Sequence, residues 1–346
     1  MKPFSKIRRS NARVFESSSP LKRTRQLLGV IAMLLGIATA GVLAADPVSA
    51  HPDASTVARA RAAFLKKMSS RRPLIRSTVT MPPPSEGVTE VGSYNWSGFA
   101  DVEGGATRVS SVSGEWVIPA VQCPTGPYQY SDAFDAQWVG IDGATNGTVE
   151  QLGSATQCFE GVEYYYVWYE MFPAGMFEEG TQACINYNVD CPEPGDRIAA
   201  SVTATPAGSY TLSLVDYTHP AESFTVTASC PPSACLDQSA EWIIERPATE
   251  AGFGEVILPL GDFFQTSFFN GAVTSGGKTT DIEGFKDGPV YDFAMVDDTD
   301  SYLLDCVGQQ NWGWGGPKLL LTTNPNACPP VSPIHGSFNV TWDSSF

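Results

Sequence analysis

From about residue 91 onward, short runs rich in Val, Thr, Tyr, Phe and Trp alternate with breaks of Gly, Pro, Asp and Asn. The runs "RVSSVSGEWVIP" (108–119), "AFDAQWVGIDG" (133–143) and "VEYYYVWYEMFP" (162–173) read as strands, because β-branched and aromatic side chains suit a pleated, half-buried surface. "RIAASVTATPAGSYTLSLVDY" (197–217) breaks at 206–208 into a hairpin, and "SFTVTAS" (223–229), "FGEVILPL" (253–260) and "GSFNVTW" (336–342) follow. Many strands at near-regular spacing, with no internal repeat and no convincing helix in this part, predict a large all-β sandwich or barrel.

Side chains alternate along a strand, so residues two apart share a face. Trp138, Gly140 and Asp142 fall on one face, opposite Val139 and Ile141. Tyr164, Tyr166, Trp168 and Glu170 share another, and Gln151 lies opposite Glu150 and Leu152. In "EWIIE", Glu241, Ile243 and Glu245 oppose Trp242 and Ile244. Aromatic and carboxylate side chains on shared faces suit the floor of a concave cleft better than a plain core. Periodicity does not say that these faces meet.

The first 90 residues follow other patterns. Residues 1–50 carry a basic leader and the apolar stretch "LLGVIAMLLGIATAGVLAA" (27–45), followed by small-residue sites, which predicts a secretory signal peptide cleaved near Ala44–Ala50. A retained single membrane anchor is the alternative. Residues 51–90 combine a basic helix-former, "STVARARAAFLKKMSSRR" (55–72), with an extended Pro-rich linker, "MPPPSEG" (81–87). The division expected is therefore a signal peptide at 1–50, a basic propeptide and linker at 51–90, and a β domain at 91–346.

Charge sharpens that division. Residues 91–346 hold six Lys/Arg against 32 Asp/Glu, about −26 at neutral pH. Such a surface repels nucleic acid and anionic membranes and repels itself until acid protonates it. The pattern suits an acidic habitat, with plain solubility or a salt-rich habitat as the alternative. A basic segment ahead of so acidic a domain predicts a propeptide that covers it and leaves when acid neutralises the carboxylates; a non-inhibitory tail is the other reading.

All eight cysteines lie beyond residue 50, an even number in an exported chain, which predicts disulfides. Cys184/Cys191 and Cys230/Cys235 would close small loops, leaving Cys123/Cys158 and Cys306/Cys328 as the simplest remainder. No C-x₂-C spacing and no following histidine suggest zinc. Only His219 and His335 stand in the β domain, and motifs for serine, cysteine, metal or nucleotide chemistry are missing from the sequence. No cofactor and no metal are expected. Carboxylates and amides remain as the chemical groups.

Four ordered motifs, "WVGIDG" (138–143), "VEQLGS" (149–154), "WYEMFP" (168–173) and "AEWIIERP" (240–247), resemble the signatures of the glutamic peptidases, the eqolisin family. "NWSG" (95–98) and "GSFNVTW" (336–342) match the family's edges, so the resemblance spans nearly all of 91–346. It implies a secreted, acid-acting endopeptidase on a β-sandwich of two antiparallel sheets, like the concanavalin-A-like lectins and glucanases. The implied catalytic dyad is Gln151 and Glu245, with Trp138, Asp142, Trp168 and Glu170 as supporting cleft residues. Glu245 would act on water as base and then as acid, Gln151 would stabilise the oxyanion, and Asp142 and Glu170 would hold the site by hydrogen bonds. Glu241, on the same face, is the rival to Glu245. Implied partners are polypeptide substrates and the chain's own basic propeptide, with the protein a monomer. A glycoside hydrolase or a sugar-binding lectin on the same sandwich is the competing function. The region 301–330 is longer and richer in Trp and Gly than the family pattern suggests, which leaves the C-terminal strand order open.

Overall fold

The computed structural model describes residues 52–68, 73–79, 88–103, 105, 107–124, 132–206, 208–230, 235–251, 254–282, 288–297, 304–307 and 336–342. Helix α1 (Ala54–Met68) comes first, within the segment whose basic composition predicted a helix. Asp53 caps it, taking the Ser55 and Thr56 N–H groups at 2.8 and 3.1 Å. Strands β1 (Val88–Ser93), β2 (Trp96–Val102), β3 (Val109–Val117), β4 (Ala133–Ile141) and β5 (Val149–Phe159) follow. After them come β6 (Val162–Phe172), β7 (Met176–Glu179), the short helix α2 (Gln182–Tyr187), β8 (Arg197–Ala204), β9 (Ser209–Asp216) and β10 (Phe224–Ser229). The remainder is β11 (Ser239–Glu245), β12 (Ala248–Ala251), β13 (Gly254–Ile257), β14 (Gln265–Ser275), β15 (Lys278–Asp281), β16 (Val290–Met295), β17 (Asp305–Val307) and β18 (Phe338–Trp342).

Two large sheets form the expected sandwich. One runs β1-β16-β2-β11-β4-β5-β6-β7 and the other β10-β9-β8-β3-β14-β18-β17, with β15 beside β14. Between them lies an apolar layer that includes Trp116, Val139, Ile141, Leu152, Val202, Leu212, Trp242, Ile244, Phe268 and Val340. Trp242 Nε1–H donates to the Ser113 carbonyl at 2.8 Å, so the largest side chain of the layer is both packed and satisfied. In the "NWSG" stretch, Gly98 stands at φ +130, and a Cβ there would lie 2.1 Å from the Trp242 carbonyl oxygen. No other residue fits between β2 and β11 at that point.

Two features depart from the expectations. The pair β1–β16 is parallel, because β16 inserts between the successive strands β1 and β2 and runs with the first and against the second. Helix α2 also falls in a part expected to be free of helix. Six residues give too little periodicity to read, and what ends and closes it is local: Thr181 Oγ1 accepts from Cys184 N–H at 3.1 Å, and Cys184–Cys191 ties it off. Cys123–Cys158 and Cys230–Cys235 are also paired as expected. The proposed Cys306–Cys328 bridge and the Trp/Gly-rich run at 308–318 lie outside the described residues. Among the described residues no helix is long and apolar enough to cross a membrane.

Carboxyl groups are buried throughout this sandwich. Burial is the main cause that raises Glu90 to about 9, Asp101 to about 8, Asp135 to about 7 and Glu150 to about 10. Asp292 opposite Glu90 and Glu103 near Asp101 push in the same direction. In the unfolded chain these groups release their protons near pH 4; folded, they hold them to pH 7 or above. Their contribution to stability is therefore complete below about pH 4 and is lost as pH rises toward the folded values, by about 1.4 kcal/mol per pH unit for each group. Two such groups suffice to erode much of a typical 5–15 kcal/mol by neutral pH. The expected outcome is a melting temperature highest near pH 3–4 that falls steeply by pH 8. Replacing Glu90 with Gln and Asp101 with Asn should flatten that fall in calorimetric scans; an unchanged slope would show that these two groups do not set it.

Candidate active site

One face of the first sheet carries the polar residues that the motifs singled out, apart from Asp142. In register across the strands lie Glu241, Gly140, Gln151 and Glu170 in one row, and Ile243, Trp138, Gly153, Trp168 and Glu178 in the next. Glu245, Ala136, Ala155 and Tyr166 form the third. The alternation expected within each strand thus extends across strands, and the faces do meet. Gly140 keeps its row open: a Cβ there would lie 3.0 Å from the Trp138 ring and 3.2 Å from Gln151 Cβ.

Glu245 ends β11 opposite Trp96, and Trp138 Nε1–H donates to its Oε2 at 2.8 Å. Trp96 packs edge-on to Trp138, with centroids 4.9 Å apart, and also edge-on to Phe293 at 5.9 Å. The carboxylate is therefore aimed by an indole that is itself held from the side. Gln151 Nε2–H donates to Glu170 Oε2 at 2.7 Å, which fixes which end of the amide faces which way. An NH₂ group has two hydrogens, and this bond uses one of them. Gln151 and Glu245 are two strands and two rows apart, with the Trp138 ring between their rows, so a substrate carbonyl and a water would be needed to join them.

Asp142 serves the site from a distance. It stands at φ +69 beyond the end of β4. Its oxygens accept from Leu236, Asp237 and Gln238 N–H at 2.7, 2.8 and 2.7 Å and from Asn146 Nδ2 at 2.7 Å. These bonds pin the turn after β4 to the start of β11, the strand that ends in Glu245. Glu241 is wholly buried, and burial pushes its carboxyl well above the usual range, which makes it an acid-form neighbour in the row of Gln151.

The basic segment is expected to cover the domain, and its helix packs against the aromatic side chains of this face. Val57, Ala60, Phe64 and Met68 of α1 are fully buried in one cluster with Trp96, Trp138, Tyr164, Tyr166 and Trp168. Phe64 stacks on Tyr166 with centroids 3.9 Å apart. Arg61 pairs with Glu178, lies over the Tyr166 ring and donates to the Cys184 carbonyl at 2.8 Å. Lys67 pairs with Asp132 at 2.6 Å and Arg59 with Glu160 at 2.9 Å. On this face Trp138, Gln151, Glu170 and Glu245 expose 0, 2, 1 and 0 % of their surface. Tyr166 lies on this face as strand patterning expected, whereas Trp96 and Glu178 were not singled out as cleft residues; the "NWSG" motif was the one available pointer to Trp96.

A cation could be held, among the described residues, by Glu193, Asp196 and His219, whose ligand atoms lie within 4.8 Å of one another. His219 Nδ1 and Asp196 Oδ2 are 2.8 Å apart, so the imidazole already has a structural partner joining two loops of the second sheet.

A model of the peptidase A4 family matches residues 94–307. Aspergillopepsin-2 of Aspergillus niger is 30% identical over 203 residues, which is 54% of this chain and 66% of that protein, just under two thirds of its length. Two solved structures of scytalido-glutamic peptidase, one with a transition state analog inhibitor and one with a peptide based transition state analog, match with TM-scores of 0.51 and 0.52. They are 22% and 21% identical, and each match covers 72% of this chain and 98% of theirs, a likeness that bears on the fold alone.

If Asp142 holds the β4–β11 junction, Asp142→Ala removes the acceptor of three part-buried backbone N–H groups and should cost roughly 1.5–4.5 kcal/mol, at about 0.5–1.5 kcal/mol for each bond. Urea denaturation at pH 4 measures this. A loss below about 1 kcal/mol would mean that the loop rearranges and the register does not depend on it.

Proposed function

The chain belongs to the peptidase A4 family, the glutamic peptidases, and from that premise we propose that it is a secreted, acid-acting endopeptidase working through Gln151 and Glu245. The observation that carries the reading is the Trp138–Glu245 bond on the face that also bears Gln151 and Glu170. Glu245 takes a proton from water as the water attacks the scissile carbonyl, and returns it to the leaving nitrogen. Gln151, held by Glu170, donates its second N–H to the oxyanion. An amide does not titrate, so this donor survives in acid where an imidazole would be charged. Three disulfides agree with an oxidising, extracellular compartment, and the molecule acts as a monomer on extended polypeptides.

Sugar hydrolysis is disfavoured by the same bonds. It needs a second carboxyl facing Glu245, whereas Glu170 is engaged by Gln151 and Asp142 by the 236–238 backbone. Expressed as the full chain and activated in acid, the protein should digest denatured protein near pH 3–4. Glu245→Gln and Gln151→Ala should each lower kcat by at least 10³-fold with unchanged near-ultraviolet circular dichroism. Retained turnover in Glu245→Gln would reject the dyad.

Residues 51–90 act in this reading as a covering propeptide and linker whose hold depends on Arg61. Exposed pairs such as Arg59–Glu160 are worth about 0–1 kcal/mol, less than burying Phe64 alone at about 1.5–3 kcal/mol. Arg61 and Glu178 are both buried, and losing one charge of a buried pair costs about 3–5 kcal/mol. The seat of the helix therefore depends most on this pair, with Glu222 and the Tyr164 and Tyr166 hydroxyls also near Arg61. Arg61→Leu, which leaves Glu178 buried without its partner, should weaken docking and speed activation at pH 4 at least tenfold. Activation at the wild-type rate would place the hold elsewhere.

A further inference from the structure

In "NWSG", Asn95 precedes β2 and is wholly buried. Its side chain serves an extended piece of the N-terminal segment. Asn95 Oδ1 accepts from Ile75 N–H at 2.8 Å, and Nδ2 donates to the Pro73 carbonyl at 3.1 Å. The backbone continues the pattern: Tyr94 N–H donates to the Ile75 carbonyl and Ser77 N–H to the Gly92 carbonyl, both at 2.9 Å. Arg76 and Ser93 form an antiparallel bridge. Residues 73–77 therefore lie as a short added strand on the crossover Gly92–Asn95.

These four bonds use no side chain of residues 73–77. The Arg76 guanidinium goes elsewhere, over the Tyr291 ring at 5.1 Å and to the Ala144 carbonyl at 3.0 Å. Any extended peptide offers the same N–H and C=O groups, which is the basis of recognition by strand addition. The crossover also runs directly beside the proposed catalytic acid. Arg246 N–H donates to the Asn95 carbonyl at 3.0 Å, and Trp96 is the register partner of Glu245.

The geometry points to Gly92–Asn95 as the strip that binds the substrate's backbone next to Glu245, with the Asn95 amide as its positioning residue. The ligand class is an extended polypeptide gripped through its main chain, with residues 73–77 standing in for it before activation. The inference rests on the peptidase reading above. The competing role is local, since Ser93 Oγ–H also donates to Asn95 Oδ1 at 3.3 Å and Asn95 could serve the crossover alone.

Full chain activated in acid, wild type and Asn95→Ala, is assayed on one octapeptide and on versions N-methylated at one backbone amide at a time. In the wild type, two methylated positions two residues apart, matching the Ile75 and Ser77 N–H groups, should each raise KM and lower kcat/KM about tenfold, the loss expected for a hydrogen bond, and the first of them is the position that meets Asn95. Asn95→Ala should lower kcat/KM on the parent peptide by a similar factor, with little change in kcat, and should show no further loss at that same position. Asn95→Asp, which keeps the acceptor and the shape, should retain the sensitivity to methylation and serves if the alanine variant does not fold. Losses that multiply independently in variant and peptide, or an Asn95→Ala enzyme with wild-type kcat/KM, overturn the proposal while leaving the peptidase reading intact. A wild type that cleaves no peptide at any pH overturns the peptidase reading, and this proposal with it.

Discussion

The bonds of Asp142 to the 236–238 backbone set the register on which the cleft is built. They fasten the turn after β4 to the start of β11, so that Ile243 meets Trp138 and Glu245 meets Ala136. A slip of one residue in this pairing would turn Glu241 and Glu245 into the apolar layer and Trp242 and Ile244 out of it. The Trp138–Glu245 bond, the open row over Gly140 and the neighbouring strip at Asn95 all presuppose the same alignment. A carboxylate that looks like one more cleft acid in the strand pattern is thus the clamp that lets the other carboxylates be cleft residues.

Acidity enters the molecule through its buried carboxyl groups. Glu90, Asp101 and Glu150, buried with little cationic support, favour the folded state while they keep their protons. A fall in pH therefore strengthens the sandwich. Glu178 is buried in another way, against the Arg61 guanidinium, and there the pair ties helix α1 to β7.

Much of this was legible in the sequence, for definite reasons. Strict alternation in "EWIIE" and "QWVGIDG" places Glu241, Glu245, Trp138 and Gly140 on one face because the strand period is two, whatever the tertiary context. Short-loop cysteine pairs follow from proximity along the chain. The parallel β1–β16 pair was not legible, because strand order depends on which distant segment inserts, and residues 88–93 look the same beside either neighbour. Nor was the actual work of Asp142, since its partners lie about 95 positions away and are backbone groups that any sequence would offer. Helix α1 could be read as a helix, but its seat depends on Tyr166, Glu178 and the Cys184 carbonyl, which come together only when β6, β7 and α2 are assembled.

The N-terminal segment grips the domain in two chemically different ways, and these would decide how a covering propeptide is held and displaced. Helix α1 binds through side chains, by an apolar stripe and one buried ion pair, while residues 73–77 bind through main-chain bonds to Gly92–Asn95. A few such bonds are each worth only about 0.5–1.5 kcal/mol net, so a free peptide of this length would bind the strip weakly. Tethered to a docked helix, the same segment is present at an effective concentration on the order of millimolar and excludes competitors. Without the docked helix that advantage would vanish, and a polypeptide that also filled side-chain subsites along the cleft would compete on better terms. Recognition through the main chain is thus what makes the segment displaceable: it holds nothing at the strip that a substrate could not offer as well.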